Sequence, residues 1–129
     1  MGMVAELDPE TKKKLVKTLG EISRYCDLDA LAVVTREGRR LAFFAQKGTD
    51  PDLLSAVSAA VTSTGTMVTE QLMHGGLWEV IVRGETGYTI LSSSGEFVLI
   101  GASREFFSMG LAVRVLREYR KKIQKVLSA

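Results

Sequence analysis

The chain has 129 residues, of which a quarter are charged, with one cysteine and a formal net charge of +2. That length is typical of one domain that buries a core without crosslinks. The single Cys26 excludes an internal disulfide and a cysteine-rich metal site, and so small a net charge does not by itself indicate nucleic acid. No signal peptide and no membrane-spanning stretch of about 20 apolar residues is visible. We therefore predict one cytoplasmic domain over residues 1–129, with no cofactor and no metal.

The first predicted element is a helix that begins at Asp8-Pro9-Glu10, where a capping carboxylate precedes a proline and an acid. Its apolar residues recur at helical spacing and are Leu15, Leu19, Ile22 and Cys26. The lysines between them are expected to lie in solvent. Cys26, on the apolar stripe, is interpreted as a small buried residue.

Two short apolar runs, the β-branched Ala30–Thr35 and then Arg40–Ala45, flank a turn with Gly38 and predict a β-hairpin. Asp50-Pro51 then begins a second helix, which we expect to end near Gly75-Gly76. Short turns separate the three strands that follow, so these are expected to be antiparallel neighbours. They are Leu77–Arg83, Tyr88–Ser93 and Phe97–Ser103, and a last helix covers Met109–Leu127.

The second helix contains seventeen residues without a charge, LLSAVSAAVTSTGTMVT, between Asp52 and Glu70. Its more apolar face is expected to pack on the sheet and consists of Leu53, Val57, Ala60, Val61, Thr64, Met67, Val68, Gln71 and Leu72. The opposite face is small and uncharged and consists of Ser55, Ser58, Ala59, Thr62, Gly65, Thr66, Thr69 and Met73. Small side chains allow close approach of two backbones, and interface cores are depleted in charge. We therefore expect this second face to point outward and contact another protein, and an arginine at Thr62 or Thr66 to block assembly without unfolding the chain.

In element order and in three local stretches the sequence resembles the Roadblock family, named for dynein light chains of the Roadblock type. The stretches are ALAVVTREGRRLA, VIVRGETGYTILSS and SMGLAVRVLREYRKKI. The resemblance covers residues 15–127, and its closest counterparts are the prokaryotic homodimeric GTPase regulators of the MglB type. It implies an α+β fold of order α-β-β-α-β-β-β-α, a profilin-like three-layer sandwich. In it, a five-stranded antiparallel sheet carries the middle helix on one face and the first and last helices on the other.

The resemblance also implies how two copies join. The middle helices would lie side by side, and the third strands would pair into one continuous sheet. The residues of that edge strand are Trp78, Glu79, Val80, Ile81, Val82 and Arg83. An unpaired apolar edge would be an aggregation hazard, which agrees with this expectation.

For function, the resemblance implies a homodimeric regulator or scaffold that binds a Ras-like small GTPase through the paired middle helices, with allosteric stimulation of GTP hydrolysis as one outcome. Two alternatives stay open. One is an assembly adaptor without effect on nucleotide turnover. The other is a module that docks on anionic membrane or nucleic acid through the last helix, where six basic residues lie between Arg114 and Lys125. We interpret that basic helix as a solvated face, and expect no small-molecule substrate and no membrane or nucleic-acid contact.

The sequence offers little chemistry of its own. It has no GxxxxGK[ST] phosphate loop, and the one histidine, His74, has no paired nucleophile and is interpreted as a helix-end residue. Five arginines lie at predicted turns or strand ends from which one could reach a phosphoryl group, and none stands out: Arg36, Arg39, Arg40, Arg83 and Arg104. We therefore expect no enzymatic activity and no catalytic residue.

Overall fold

The computed structural model describes residues 7–45, 48–106 and 108–128, and in them the predicted order of elements is confirmed. The helices are α1 (Pro9–Tyr25), α2 (Pro51–Gln71) and α3 (Met109–Ser128). The strands are β1 (Ala30–Thr35), β2 (Arg40–Ala45), β3 (Glu79–Arg83), β4 (Tyr88–Ser94) and β5 (Phe97–Ser103). Within the described residues, no helix is long and apolar enough to cross a membrane.

The five strands form one antiparallel sheet in the order β2-β1-β5-β4-β3. The central strand β5 pairs along its whole length with β1 and β4, from Phe97 opposite Thr35 to Ala102 opposite Ala30 on the β1 side. β3 pairs only with β4, where Ile81 lies opposite Ile90. The strand that the sequence predicted at the sheet edge is therefore an edge strand, and its outer side has no partner in the described chain.

α1 and α3 pack on one face of the sheet, as the fold resemblance implied. The largest apolar cluster lies between them and the sheet, and its fully buried members include Leu15, Leu19, Leu99, Leu116 and Ile123. At the start of α1, the Asp8 carboxylate accepts a hydrogen bond of 2.8 Å from the Thr11 N–H. This capping bond is also the main reason that the pKa of Asp8 is lowered.

α2 packs on the other sheet face over a smaller cluster, which includes Ala32, Val34, Leu91 and Ile100. The three-layer arrangement is thus confirmed. The helix ends at Gln71, earlier than predicted, because Met73 adopts a left-handed conformation with φ 61° and Gly75 another with φ 86°. These residues turn the chain back toward the sheet, so β3 begins at Glu79 rather than at Leu77.

The prediction of which face of α2 meets the sheet is wrong, because the structure places the two faces the other way round. Of the small uncharged face, Ser55, Ser58 and Thr62 are buried against the sheet, and Ala59, Gly65, Thr66 and Thr69 are half-buried. Only Met73, beyond the helix end, is exposed. Of the face predicted to be buried, all members are exposed except Val61, which is half-buried.

Close packing explains this orientation. A Cβ on Gly38, which has φ +96° in the β1–β2 turn, would lie 3.0 Å from the Ala59 Cβ and 3.2 Å from the Ser55 carbonyl oxygen. At the other end of the helix, a Cβ on Gly65 would lie 3.1 Å from side-chain atoms of Leu77 and Val80. The small residues thus let α2 approach its own sheet, not a second helix. An arginine at Thr62 would be forced into this layer, so the structure leads us to expect that Thr62→Arg destabilises the fold.

Candidate functional site

The outward face of α2 carries an apolar strip that no described part of the chain covers. We define the outer strip as the α2 residues that point away from the sheet, namely Leu53, Val57, Ala60, Thr64, Met67 and Gln71. Leu53 is 61% exposed and Met67 58% exposed. None of the six is charged, although surface helices usually carry charges on their outer face. A contiguous uncharged, largely apolar surface of this kind is typical of a protein-binding site.

Beside the outer strip, a groove of about 590 Å³ runs between α2 and β3. We define the groove by Val61, Gly65, Val68, Leu77, Val80 and Ile81, which line it from both sides. Val68 and Ile81 are each nearly half exposed. Because Gly65 has no side chain, Leu77 and Val80 lie directly against the helix, and this shapes the floor of the groove. The outer strip and the groove therefore form one apolar surface that continues to the sheet edge.

α3 holds the edge strand from the opposite side of the sheet. The Arg117 guanidinium donates two hydrogen bonds of 2.7 Å to the Glu79 carboxylate, and this pairing raises the pKa of Arg117. The Arg120 guanidinium lies 4.9 Å from the Trp78 ring centroid and donates a 2.9 Å hydrogen bond to the Ser93 carbonyl oxygen. Arg117 thus ties α3 to β3, and Arg120 ties it to β4 and to Trp78 just before β3, while the outer edge of β3 has no partner in the described chain.

The residues predicted for the interface therefore separate into two groups. The edge-strand set is brought to the molecular surface, with Ile81, Val82 and Arg83 exposed and Trp78 71% exposed. Of the eight α2 residues, three are buried and four half-buried on the sheet side of the helix, and the outer strip takes the outward face. Gly65 and Thr69, two of the half-buried residues, line the groove. The signal for the outer strip was present in the sequence as Leu53, Val57 and Met67, because an apolar helix face can belong to an interface as well as to a core.

The candidate arginines and His74 are distributed over turns and strand ends of the described chain. No group of three or more His, Cys, Asp or Glu side chains among them could hold a metal ion. Three of the five turn and strand-end arginines are engaged within the chain. Arg36 donates to the Thr66 hydroxyl at 2.7 Å and to the Gly95 carbonyl, Arg40 pairs with Asp52 at 2.9 Å, and the Arg83 guanidinium lies 4.3 Å from the centre of the Phe106 ring. His74 is exposed at the end of the α2–β3 turn, with its N–H bonded to the Thr69 carbonyl.

The sequence matches the model of the Roadblock/LC7 domain over residues 14–103. Among proteins with curated descriptions, none matches the sequence significantly.

Solved structures are similar over nearly the whole chain. An MglB described as having a tetrameric arrangement is 16% identical with a TM-score of 0.78, covering 94% of this chain and 95% of its own. The gliding protein MglB of Thermus thermophilus is 18% identical with a TM-score of 0.77, covering 94% of this chain and 90% of its own. More distantly, profilin II of Acanthamoeba castellanii is 18% identical with a TM-score of 0.51, covering 89% of this chain and 92% of its own. At these identities the similarity concerns the fold.

Proposed function

The chain belongs to the Roadblock/LC7 family, and on this basis we propose that it is a homodimeric module that binds a Ras-like small GTPase and regulates or scaffolds it. The observation that carries the proposal is the uncovered apolar surface formed by the outer strip, the groove and the free edge of β3. The partner class is the one that the family resemblance implies, and the similarity to MglB structures supports it. No residue of this chain is assigned a catalytic role.

In the proposed dimer, the β3 strands of two copies pair and the α2 helix of each copy lies against the groove of the other. Pairing would satisfy the free N–H and C=O groups along the edge, where Ile81 and Val82 are exposed. Helix contact would remove Val68 and the other groove side chains from water, which contributes roughly 25 cal/mol for each Å² of apolar surface. The two contacts lie side by side on one surface, so a single two-fold arrangement satisfies both.

A pair of matched substitutions tests the dimer. Val68→Glu introduces a charge into the groove, and Val16→Glu introduces the same charge on α1, on the other face of the sheet. Val68 is 47% exposed and Val16 40% exposed, so both variants are expected to fold. At micromolar concentration, analytical ultracentrifugation should show a dimer for the unmodified chain and for Val16→Glu, and a monomer for Val68→Glu. A monomeric unmodified chain would refute the dimer.

GTPase binding is proposed at the part of the outer strip that the dimer leaves free, around Leu53 and Met67, because Ala60 and Thr64 also line the groove. Two α2 helices side by side would double its area, and the lack of charge lowers the desolvation cost of burying it. Because Leu53 and Met67 lie on the side away from the sheet, a substitution there acts on the contact and not on the fold. This separates the GTPase contact from the dimer contact.

Leu53→Glu tests that separation, with Leu111→Glu on α3 as the control, since both leucines are exposed helix residues on opposite faces of the sheet. The probe is the Ras-like GTPase encoded nearest to this chain, loaded with GDP or with a non-hydrolysable GTP analogue. Calorimetry should show GTP-dependent binding to the unmodified chain and to Leu111→Glu, and at least about tenfold weaker binding to Leu53→Glu. Equal binding by both variants would move the contact elsewhere.

The rate of GTP hydrolysis then separates a regulator from an adaptor. An allosteric regulator increases the rate while Arg39→Gln and Arg104→Gln, which remove two exposed arginines, leave the increase intact. A pure adaptor binds with no change in rate. Loss of the increase in one arginine variant, with binding preserved, would show that this arginine acts on the transferring phosphoryl group.

A further inference from the structure

Charge is divided unevenly between the layers of the molecule. α1 and α3 together carry eleven basic and three acidic residues, which is a net charge of +8. The remainder of the chain has six basic and twelve acidic residues, so the small net charge of the whole chain conceals a strongly basic helical layer. From the sequence, the basic patch of the last helix, with Lys12–Lys14 as possible neighbours, was interpreted as a solvated face. The structure adds α1 to it.

The two helices run antiparallel beside each other. The Tyr119 hydroxyl lies 3.3 Å from the Glu21 carboxylate and its ring centroid 6.2 Å from that of Tyr25. One turn earlier on α3, Leu116 meets Leu28, beyond the end of α1, around the backbone of Gly101. Moving toward the C-terminus of α3 therefore means moving toward the N-terminus of α1. As a result, the lysine-rich start of α1 lies beside the lysine-rich end of α3.

Most of the basic side chains on these helices are directed away from the sheet. At about 100° per residue, most basic residues lie opposite the buried positions of their helix or beside the line along which the two helices meet. Together they form a basic face. Its members are Lys13, Lys14, Lys17, Arg24, Arg114, Lys121, Lys122 and Lys125. All eight are exposed, and none makes an ion pair with another described residue. The acidic residues of the two helices are Glu10, Glu21 and Glu118, too few to neutralise this face.

We propose that the basic face binds the surface of an anionic membrane. The charge and the shape of the basic face favour a membrane as its partner. Seven of the eleven basic residues on the two helices are lysines, which act as point charges toward phosphate headgroups, and each contributes separately to attraction by an anionic leaflet. Exposed apolar side chains, Val16 on α1 and Leu111 on α3, occur on the same layer and can enter the headgroup region.

A nucleic acid fits this surface less well. Reading a duplex groove about 12 Å wide needs an element that projects from the protein. Here α1 and α3 lie side by side on the sheet and form a broad layer, with Tyr119 and Leu116 buried beneath it. Two of the four arginines on these helices are not free to grip phosphate in a bidentate manner, because Arg117 is bonded to Glu79 and Arg120 to the Ser93 carbonyl. The membrane proposal does not depend on a GTPase partner, because α2 lies on the other side of the sheet.

Sedimentation with vesicles tests the proposal. The purified chain is mixed with vesicles of phosphatidylcholine alone, or of phosphatidylcholine with about a third phosphatidylglycerol, at low and at high salt. We expect binding only to the anionic vesicles, falling at least about tenfold as salt rises and the Debye length shortens from about 10 Å to 3 Å. Binding to the neutral vesicles, or no binding to either kind, would overturn the proposal.

Variants locate the contact. Lys121, Lys122 and Lys125 are replaced together by Gln, and this should weaken binding at least about tenfold. Replacing the same three by Arg should preserve binding, because the charge stays. Replacing Arg39, Arg40 and Arg104 by Gln removes an equal charge away from the basic face and should have little effect. Circular dichroism verifies the fold of each variant. Equal loss of vesicle binding in the Lys→Gln variant and in the control variant would show that the contact does not lie on the basic face.

A DNA duplex separates the membrane from nucleic acid as the partner. Tighter, salt-sensitive binding of the duplex than of anionic vesicles would show that the basic face binds nucleic acid and not a membrane.

Discussion

At the scale of single residues, two buried hydroxyl groups between α2 and the sheet are unusual. Ser58 is fully buried and Thr62 is 2% exposed, and neither hydroxyl has a hydrogen-bond partner among the described residues. A buried hydroxyl without a partner costs roughly 1–3 kcal/mol in protein variants. Small size therefore accounts for these residues, because a larger side chain would hold α2 away from the sheet. Close packing of α2 on the sheet therefore outweighs the cost of burying these two hydroxyl groups.

Thr62→Val should consequently leave the free energy of unfolding unchanged or raise it by up to about 1 kcal/mol, since Val has nearly the same shape and helix propensity. Thr64→Val is the matched control on the exposed side, where the Thr64 hydroxyl already bonds to the Ala60 carbonyl. Thr62→Arg should cost several kcal/mol, because a charge would be buried against the sheet. Urea denaturation measures all three. A stable, well-folded Thr62→Arg variant would contradict the orientation of α2.

Cys26 gives a pH-dependent prediction. Burial raises the pKa of its thiol to about 11, from an ordinary value of 9.0, and the nearby Asp27 carboxylate adds to the effect. As pH rises, the Cys26 thiol therefore ionises in the unfolded chain before it does so in the folded chain. Its contribution to the free energy of unfolding is complete below pH 9.0 and is lost as pH approaches 11. The loss should be about 2 kcal/mol by pH 11.

Comparison with Cys26→Ala isolates this contribution from other groups that titrate at high pH. The stability difference between the unmodified chain and the variant, measured by urea unfolding, should shrink between about pH 8 and pH 11. An unchanged difference would show that the thiol ionises equally in the folded and unfolded chains.

At the scale of elements, α3 and β3 are joined by the paired side chains of Arg117 and Glu79. The two hydrogen bonds are short, but the Arg117 side chain is 58% exposed, so solvent screening keeps the contribution of the pair to overall stability small. Its effect is local, since β3 is bonded to the sheet on one side only. Arg117→Lys keeps the charge and loses the bidentate geometry.

Hydrogen exchange should detect that local change. In Arg117→Lys, the β3 amides should exchange a few times faster, while those of the central strand β5 keep their rates. Arg114→Lys, on the same helix but directed outward, should change neither strand. Acceleration throughout the sheet would mean that Arg117 supports the whole fold and not the edge strand.

The elements themselves were largely predictable. β1, β2 and β5 have the predicted bounds, because short apolar runs bounded by turn residues determine them locally. The end of α2 was not predictable, since it depends on the left-handed Met73, a residue that rarely adopts that conformation.

The sequence-based prediction exchanged the two faces of α2 for a different reason. Periodicity divides a helix into two faces, but a helix at an interface buries one face in its own chain and the other in a partner. Leu53 and Val57 therefore carry the same signal as core residues.

At the scale of the whole molecule, the sheet separates two surfaces of different chemistry. The α2 side is apolar and uncharged around Leu53 and Val68, and the α1/α3 side is basic. If two copies pair antiparallel through β3, the two-fold axis is perpendicular to the joined sheet, so both α2 helices lie on one side and both basic faces on the other. Such a dimer would present its basic faces together to a membrane and its outer strips together to a protein partner.

This separation predicts that the two proposed contacts respond differently to salt. The outer strip has no charged residue, and Glu79, the charged residue that lines the groove, is already paired with Arg117. This leaves Arg83 as the one charge of β3 without an ion-pair partner among the described residues. Burial of apolar surface is not weakened by salt, whereas contacts between exposed charges are screened beyond about 10 Å at 0.1 M. The dissociation constant of the dimer, measured by analytical ultracentrifugation, should therefore change less than about threefold between low and high salt, under conditions in which vesicle binding is lost. Dissociation of the dimer by salt would instead place the contact between copies on charged surface, such as the basic face of α1 and α3.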